Sequence, residues 1–377
     1  MGTGGPLLLT ERHAGMTATG CFLLLRFLLN AKLLPQWCWC WLCSKLIVND
    51  WTGRGWVMGE EMQGVEADTG WRKAIPEARD RLQSRVLVWV VGALLALETV
   101  SVLRQVYFIW GEQDVRQHSL LAEIVGISVV FAGLVLSLRA ATVAGAFFGG
   151  MICFLLTNGT ASSQYTILRS GLAPLALLFV LTFLATRAGR RVKVRTGLAE
   201  KRHGRSSAQV IANLSIAGLA VSALGFDLVM GGGGCCGAGY YKIWVGPAMM
   251  LMCLAAMVEA TADTVSSEIG QAFGGRPVML LTLQQVDPGA DGAVTLLGSL
   301  AGIAGGAFVA VVGMWALRLT PSQTAIALFA GICGLFFDSF LGATVERRGW
   351  IGNDLVNFTS TLFAAALALA VYRFFAF

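Results

Sequence analysis

The sequence predicts an all-α, polytopic integral membrane protein of about nine transmembrane helices, and three observations carry that prediction. Of 377 residues, 56% are hydrophobic and only 13% charged. The mean hydropathy is +0.68, which leaves too little polar surface to cover a soluble protein of this length. The apolar runs are continuous and about 20 residues long, the length a helix needs to cross ~30 Å of hydrocarbon. They lack the period-two alternation that barrel strands show, and helices are the other structure that satisfies every backbone group inside lipid.

From Arg85 onward the spans fall at about 86–104, 119–138, 141–157, 170–187, 208–226, 242–263, 292–316, 322–343 and 355–376. The second and third are joined by the short connection Ser137–Thr142. Assigning charges to alternate sides puts 17 of the 23 Lys and Arg residues from Met62 onward on one side. That side is expected to be cytoplasmic, and the expected location is a bacterial inner (plasma) membrane. The net charge of +6 is explained by this asymmetry, so nucleic acid is not an expected partner.

Residues 1–85 read as a poorly structured or mis-started leader, with Met58 or Met62 as the candidate true start, and 86–377 as the transmembrane domain. A cleaved signal peptide is disfavoured, because no small-residue cleavage site follows a compact apolar region. Cys38, Cys40 and Cys43 match no standard zinc spacing, and most of the nine cysteines sit in or beside apolar stretches. No disulfide framework is expected.

Five polar segments share the basic side. In VEATADTVSSEIGQAF, Glu259 and Asp263 are i and i+4, so a helix puts both on one face, extended by Ser266 or Ser267 and Gly270. Two carboxylates so placed repel unless a cation or proton lies between them. Glu268 lies about 140° round from Asp263 and joins them only if the helix breaks near Ser266. A solvated helix end is the bland alternative, but Glu259 is deep and its side chain short.

The eighth span repeats the device with Gly334, Asp338, Gly342 and Glu346 at four-residue spacing, glycines for close approach and acids turned inward. Glu346 is equally well read as an interface residue paired with Arg347 or Arg348. The seventh opens PGADGAVTLLGSLAGIAGG, with Asp291, Gly292 and Thr295 at its entrance. There free N–H groups and the positive dipole end favour a phosphate, and Asp291 is a candidate N-cap. The ninth begins NDLVNFTST, aligning Asn353, Asn357, Ser360 and Thr361 with Asp354 beside them. These groups suit Mg²⁺ and phosphate oxygens, and also ordinary capping. Arg205, Gln209 and Asn213 form a polar line entering the fifth span, while the lone His203 reads as a surface residue.

These segments in this order, RSSAQVIAN, EATADTVSSEIG, DGAVTLLGSLAG, FDSFLGATVE and NDLVNFTST, resemble the integral-membrane family known as domain of unknown function 92. That family includes the transmembrane protein 19 group and plant and cyanobacterial phytyl-phosphate kinase. The resemblance covers about 119–377, holding seven of the predicted helices. Two positions depart from the family's usual pattern: Leu214 where glycine commonly follows the Asn, and Ala290 where threonine is common. Neither removes an expected ligand.

The resemblance implies a kinase that transfers a phosphate from ATP or CTP to an isoprenyl monophosphate, giving the diphosphate, with Mg²⁺. Asp263, Asp338 and Glu259 are then the expected catalytic and metal residues, with Glu268 as a further metal ligand. Arg205, Gln209, Asn213, Ser267, Asp291, Gly292, Thr295, Asn353, Asp354 and Asn357 are the expected phosphate- and substrate-binding residues. The phosphate monoester is already an anionic nucleophile, so the lack of a His- or Ser-based constellation is consistent with this chemistry. The alternative is a transporter using buried Glu259, Asp263 and Asp338 as proton or cation sites.

Overall fold

The computed structural model describes residues 75–109, 115–162, 164–198, 204–230 and 246–375. The Cys38, Cys40 and Cys43 cluster, the leader up to residue 74, His203 and the Gly-rich stretch 231–239 lie outside the described residues.

The first described helix, α1 (Glu77–Ile109), begins inside the segment assigned to the leader. Residues 77–85 are therefore part of the helical domain: Arg79 donates to the Gly349 carbonyl at 3.0 Å and Gln83 to that of Trp350 at 2.9 Å. Next come α2 (Val115–Ser137), α3 (Val143–Thr160) and α4 (Leu172–Arg187). The short connection between α2 and α3 is where the sequence placed it. A six-residue helix α5 (Arg190–Arg195) leads to α6 (Ser207–Ala220) and α7 (Ala223–Met230), which together make up the fifth predicted span, interrupted at Val221–Ser222. The chain then forms α8 (Pro247–Phe273), α9 (Leu296–Leu317), α10 (Pro321–Leu341) and α11 (Asn353–Phe374).

Seven of these, α1, α2, α3, α8, α9, α10 and α11, contain stretches long and apolar enough to cross a membrane; α4 and α6 are shorter apolar helices. All nine predicted spans thus have a helical counterpart among the described residues. Helix starts follow local chemistry. Ser206 with Gln209 and Thr320 with Gln323 form reciprocal capping boxes at α6 and α10, and Pro247 and Pro321 stand in the first turns of α8 and α10.

Helix α8 is the central element. Every residue from Leu251 to Ala262 is buried, and α8 packs against α4, α6, α9, α10 and α11. Small residues bring the backbones together. A Cβ on Gly302 of α9 would stand 2.4 Å from the Ala262 carbonyl oxygen, and one on Gly331 of α10 2.4 Å from Val258. Large apolar side chains such as Trp89, Val130, Phe308 and Phe329 point outward, as lipid-facing helices require.

The seventh predicted span starts later than expected. Gly292 has φ +74°, a left-handed conformation that ends any helix there. Ala293–Val294 (β2) instead pairs antiparallel with Val278–Met279 (β1). Helix α9 begins at Leu296 under a Thr295 cap, whose hydroxyl accepts from Gly298 N–H at 3.1 Å. Asp291 is therefore not the N-cap.

Candidate functional site

One cavity of about 340 Å³ is bounded by the start of α6, the last turns of α8, the 275–295 hairpin region, the end of α10 and the start of α11. The helices alternate in direction, so these ends gather at one end of the helical domain. The five polar segments singled out in the sequence come together there, as charge counting predicted.

Arg205 is set by its backbone. Its N–H donates to the Ala140 carbonyl and its carbonyl accepts from Thr142 N–H, both at 2.9 Å. Gly204 (φ +72°) makes the approach possible, since a Cβ there would lie 2.6 Å from the Ala140 backbone. The tight α2–α3 connection thus holds Arg205 at the cavity wall, within electrostatic reach of Asp263. One turn on, Gln209 spends its side-chain oxygen on the Ser206 N–H, at 2.8 Å, so its amide nitrogen is what it can offer a ligand. Asn213 accepts a bond from Asn357 Nδ2 at 3.1 Å, tying α6 to α11 inside the cavity.

Asp263 and Asp338 both line the cavity, from α8 and α10, and Glu346 joins them. Asp338 faces the charges of Asp263, Glu259 and Glu346 together. Glu346 is carried by a wider π-helical turn, Gly342–Glu346, that continues α10. It is only 6% exposed. Beside it, Arg347 reaches Met279 Sδ at 3.6 Å and Arg348 stacks on Trp350.

Glu259 is 1% exposed and lies behind the cavity wall rather than in it. Its Oε1 accepts from Ser360 Oγ at 2.6 Å, and the same hydroxyl lies 3.2 Å from Asp338 Oδ2. Glu259 Oε2 is buried without a hydrogen-bond partner. The glycine stripe on α10 makes this placement possible, because a Cβ on Gly334 would meet Glu259 Cγ at 2.6 Å.

Ser267, Asp291, Gly292, Thr295 and Asn353 also line the cavity. Gly292 is held where only glycine fits: a Cβ would stand 2.1 Å from the Ala343 nitrogen. Two of the expected residues have side-chain partners of their own. Asp354 is not a cavity residue; its Oδ2 accepts from Ser84 Oγ of α1 at 2.6 Å, which fastens α1 to α11. Glu268 lines the cavity, but its Oε2 is 2.5 Å from Lys193 Nζ, so an ammonium holds the carboxylate expected to ligate metal. Lys193 also donates to the carbonyls of Ala185 and Thr186 and is 1% exposed.

Sequence reasoning missed Lys193, whose basic neighbours hid it, and gave Ser360 and Glu346 too little weight. Ser360 was visible as a hydroxyl about two turns into α11 on the Asn357 face. Among the described residues, no three or more His, Cys, Asp or Glu side chains are grouped so as to hold a metal ion by themselves.

The fold and this cavity define a class: a polytopic α-helical integral membrane protein with a cluster of acids at one end of its helices. The chain belongs to the family described as Integral membrane protein DUF92, whose model matches residues 126–365. It is 29% identical over 244 residues to the chloroplastic protein VTE6 of Arabidopsis thaliana, covering 64% of this chain and 67% of that one. It is 31% identical over 205 residues to an uncharacterised membrane protein of Synechocystis sp., covering 54% and 74%. A 122-residue stretch is 32% identical to an uncharacterised membrane protein of Methanocaldococcus jannaschii, covering 32% and 50%. No solved structure matches the chain.

Proposed function

We propose that this protein is a membrane-embedded kinase that transfers the terminal phosphate of ATP or CTP to an isoprenyl monophosphate. The observation that carries this reading is the convergence of Asp263, Asp338 and Glu346 with Arg205 and the Asn213–Asn357 pair in one cavity at the end of the helices. Membership of a family that includes phytyl-phosphate kinase supports it. A phosphate oxygen of the isoprenyl monophosphate attacks the terminal phosphorus in line; the new P–O bond forms as the bond to the leaving nucleoside diphosphate breaks. No general base is needed, because the attacking oxygen is already anionic. The protein's task is positioning and charge compensation.

The residues fit a divalent cation of the Mg²⁺ kind. The donors are all oxygens, and the partnerless Glu259 Oε2 behind the wall adds a further acceptor. Asp263 and Asp338 would hold the ion, with Glu259 supporting Asp338 through Ser360. Two protein carboxylates suffice, because Mg²⁺ takes its remaining ligands from phosphate and water. When bound, the ion neutralises charge on the phosphates being joined. Arg205, within electrostatic reach of Asp263, would anchor a phosphate, and Asn213 and Asn357 would orient its oxygens. A cavity of about 340 Å³ suits the phosphate-bearing ends and leaves the base and isoprenyl chain outside it.

The test is the purified full chain with labelled ATP or CTP, Mg²⁺ and phytyl, farnesyl or geranylgeranyl phosphate. The expected product is the isoprenyl diphosphate with at least one donor. No diphosphate with either donor, together with cation-dependent flux into liposomes, would assign the buried acids to transport instead.

A further inference from the structure

At the opposite end of the helices, the loop after α3 and the end of α9 bring two arginines to one aromatic ring. Arg169 lies over Tyr165 with its guanidinium carbon 4.8 Å from the ring centroid, and Arg318 lies 5.2 Å from the same centroid. Arg169 also stands 5.5 Å from the Trp315 ring. The arrangement is reciprocal. Arg169 Nη2 donates to the Trp315 carbonyl at the end of α9, at 3.5 Å, and Arg318 Nη2 to the Thr160 carbonyl at the end of α3, at 3.2 Å. The loop is pinned by Gly171 N–H donating to Thr160 Oγ1 at 2.6 Å. Arg318 itself is a non-glycine residue at φ +58°, closing α9.

Capping two helix C-termini explains one donor on each arginine and leaves others unexplained. Arg169 Nε and Arg318 Nη1 are closed to solvent and have no hydrogen-bond acceptor. Among the described residues neither guanidinium is paired with a carboxylate. Two like charges share one ring, each keeps an unspent buried donor, and no carboxylate among the described residues balances either, which leaves their charge to an anion. Tyr165 and Trp315 are 41% and 48% exposed, and aromatics of this kind sit at the level of lipid headgroups.

We propose that Arg169 and Arg318 form a second anion site, distinct from the acid-lined cavity, that binds a phosphate group at the opposite membrane surface. Phosphate can come from an anionic lipid headgroup or from solution, and the experiment separates the two. Native mass spectrometry is run on the full chain in micelles doped with phosphatidylglycerol or phosphatidylcholine, with and without added inorganic phosphate. Wild type should retain phosphatidylglycerol in preference to phosphatidylcholine. Arg169→Gln with Arg318→Gln should reduce retention about tenfold or more, the weight of one lost charge-assisted bond. Arg169→Lys with Arg318→Lys, which keeps the charges and loses the forks, should fall between. Arg205→Gln, at the other end, should leave the retained lipid in place. Displacement by inorganic phosphate that depends on the same two arginines would support the site and assign it to a soluble anion. Equal retention of the two lipids by wild type without any phosphate binding, or loss in Arg205→Gln rather than in the arginine pair, would overturn the proposal.

Discussion

Ser360 has one hydroxyl proton and two carboxylates to share it between, Glu259 at 2.6 Å and Asp338 at 3.2 Å, with the Asn357 carbonyl a third acceptor at 3.0 Å. A single donor cannot satisfy all three, so this part of α8, α10 and α11 is arranged for a further positive partner. In the kinase reading that partner is the phosphate-bound cation, and the carboxylates that face it should be indispensable. Asp263→Asn and Asp338→Asn are each expected to lower phosphate transfer by about 100-fold or more while the protein still elutes as a folded species. Retained activity would remove the substituted residue from the site. Ser360→Ala should cost about 10- to 100-fold, acting through the carboxylates, so the Mg²⁺ concentration giving half-maximal rate should rise with it. An unchanged Mg²⁺ dependence would reduce Ser360 to a packing role.

The elements around the site depend on backbone proximity and on one buried ion pair. On Gly302 a Cβ would lie 2.4 Å from a carbonyl oxygen of α8, an atom that cannot rotate away, whereas on Gly126 it would meet nothing within 4 Å. Gly302→Ala should therefore destabilise by about 1–3 kcal/mol, and Gly126→Ala should be neutral or slightly stabilising, as read by thermal unfolding in detergent. Lys193 and Glu268 fasten α5 to the end of α8 with side chains 2% and 15% exposed. Lys193→Met alone leaves a carboxylate uncompensated and should cost about 3–5 kcal/mol. Adding Glu268→Gln should recover much of that loss, and a double-mutant cycle without coupling would mean that the pair contributes only through packing. These features mark where sequence reading stopped. The glycine stripes and the acids at four-residue spacing were legible because helical periodicity places them. The Lys193–Glu268 pair joins residues 75 apart, and no local pattern encodes such a partner. The late start of α9 follows from a left-handed Gly292 that is required by the approach of Ala343, again a distant contact.

At the scale of the whole helical domain, the spans were legible because a lipid-facing helix is apolar along its entire length, and the shared end of the polar segments followed from counting charges between spans. Which chain segments touch at that end was not, because it depends on which helices are neighbours. The resulting arrangement makes a sidedness prediction that bears directly on function. Arg191 in α5 and Gln284 between β1 and β2 are exposed near the cavity end, while Gln164 after α3 and Ser322 at the start of α10 are exposed at the other. Cysteine placed at each of these positions should label with an impermeant maleimide in two groups, Arg191→Cys and Gln284→Cys from one face of sealed vesicles and Gln164→Cys and Ser322→Cys from the other, above the background of the parent protein. Labelling of all four from one face would refute the alternating helix directions. From the distribution of Lys and Arg we expect the first group to label from the cytoplasmic face, where ATP and CTP are available. Separation into the same two groups with the opposite orientation would preserve the fold and remove the nucleotide from reach of the cavity, and the kinase reading would fall with it.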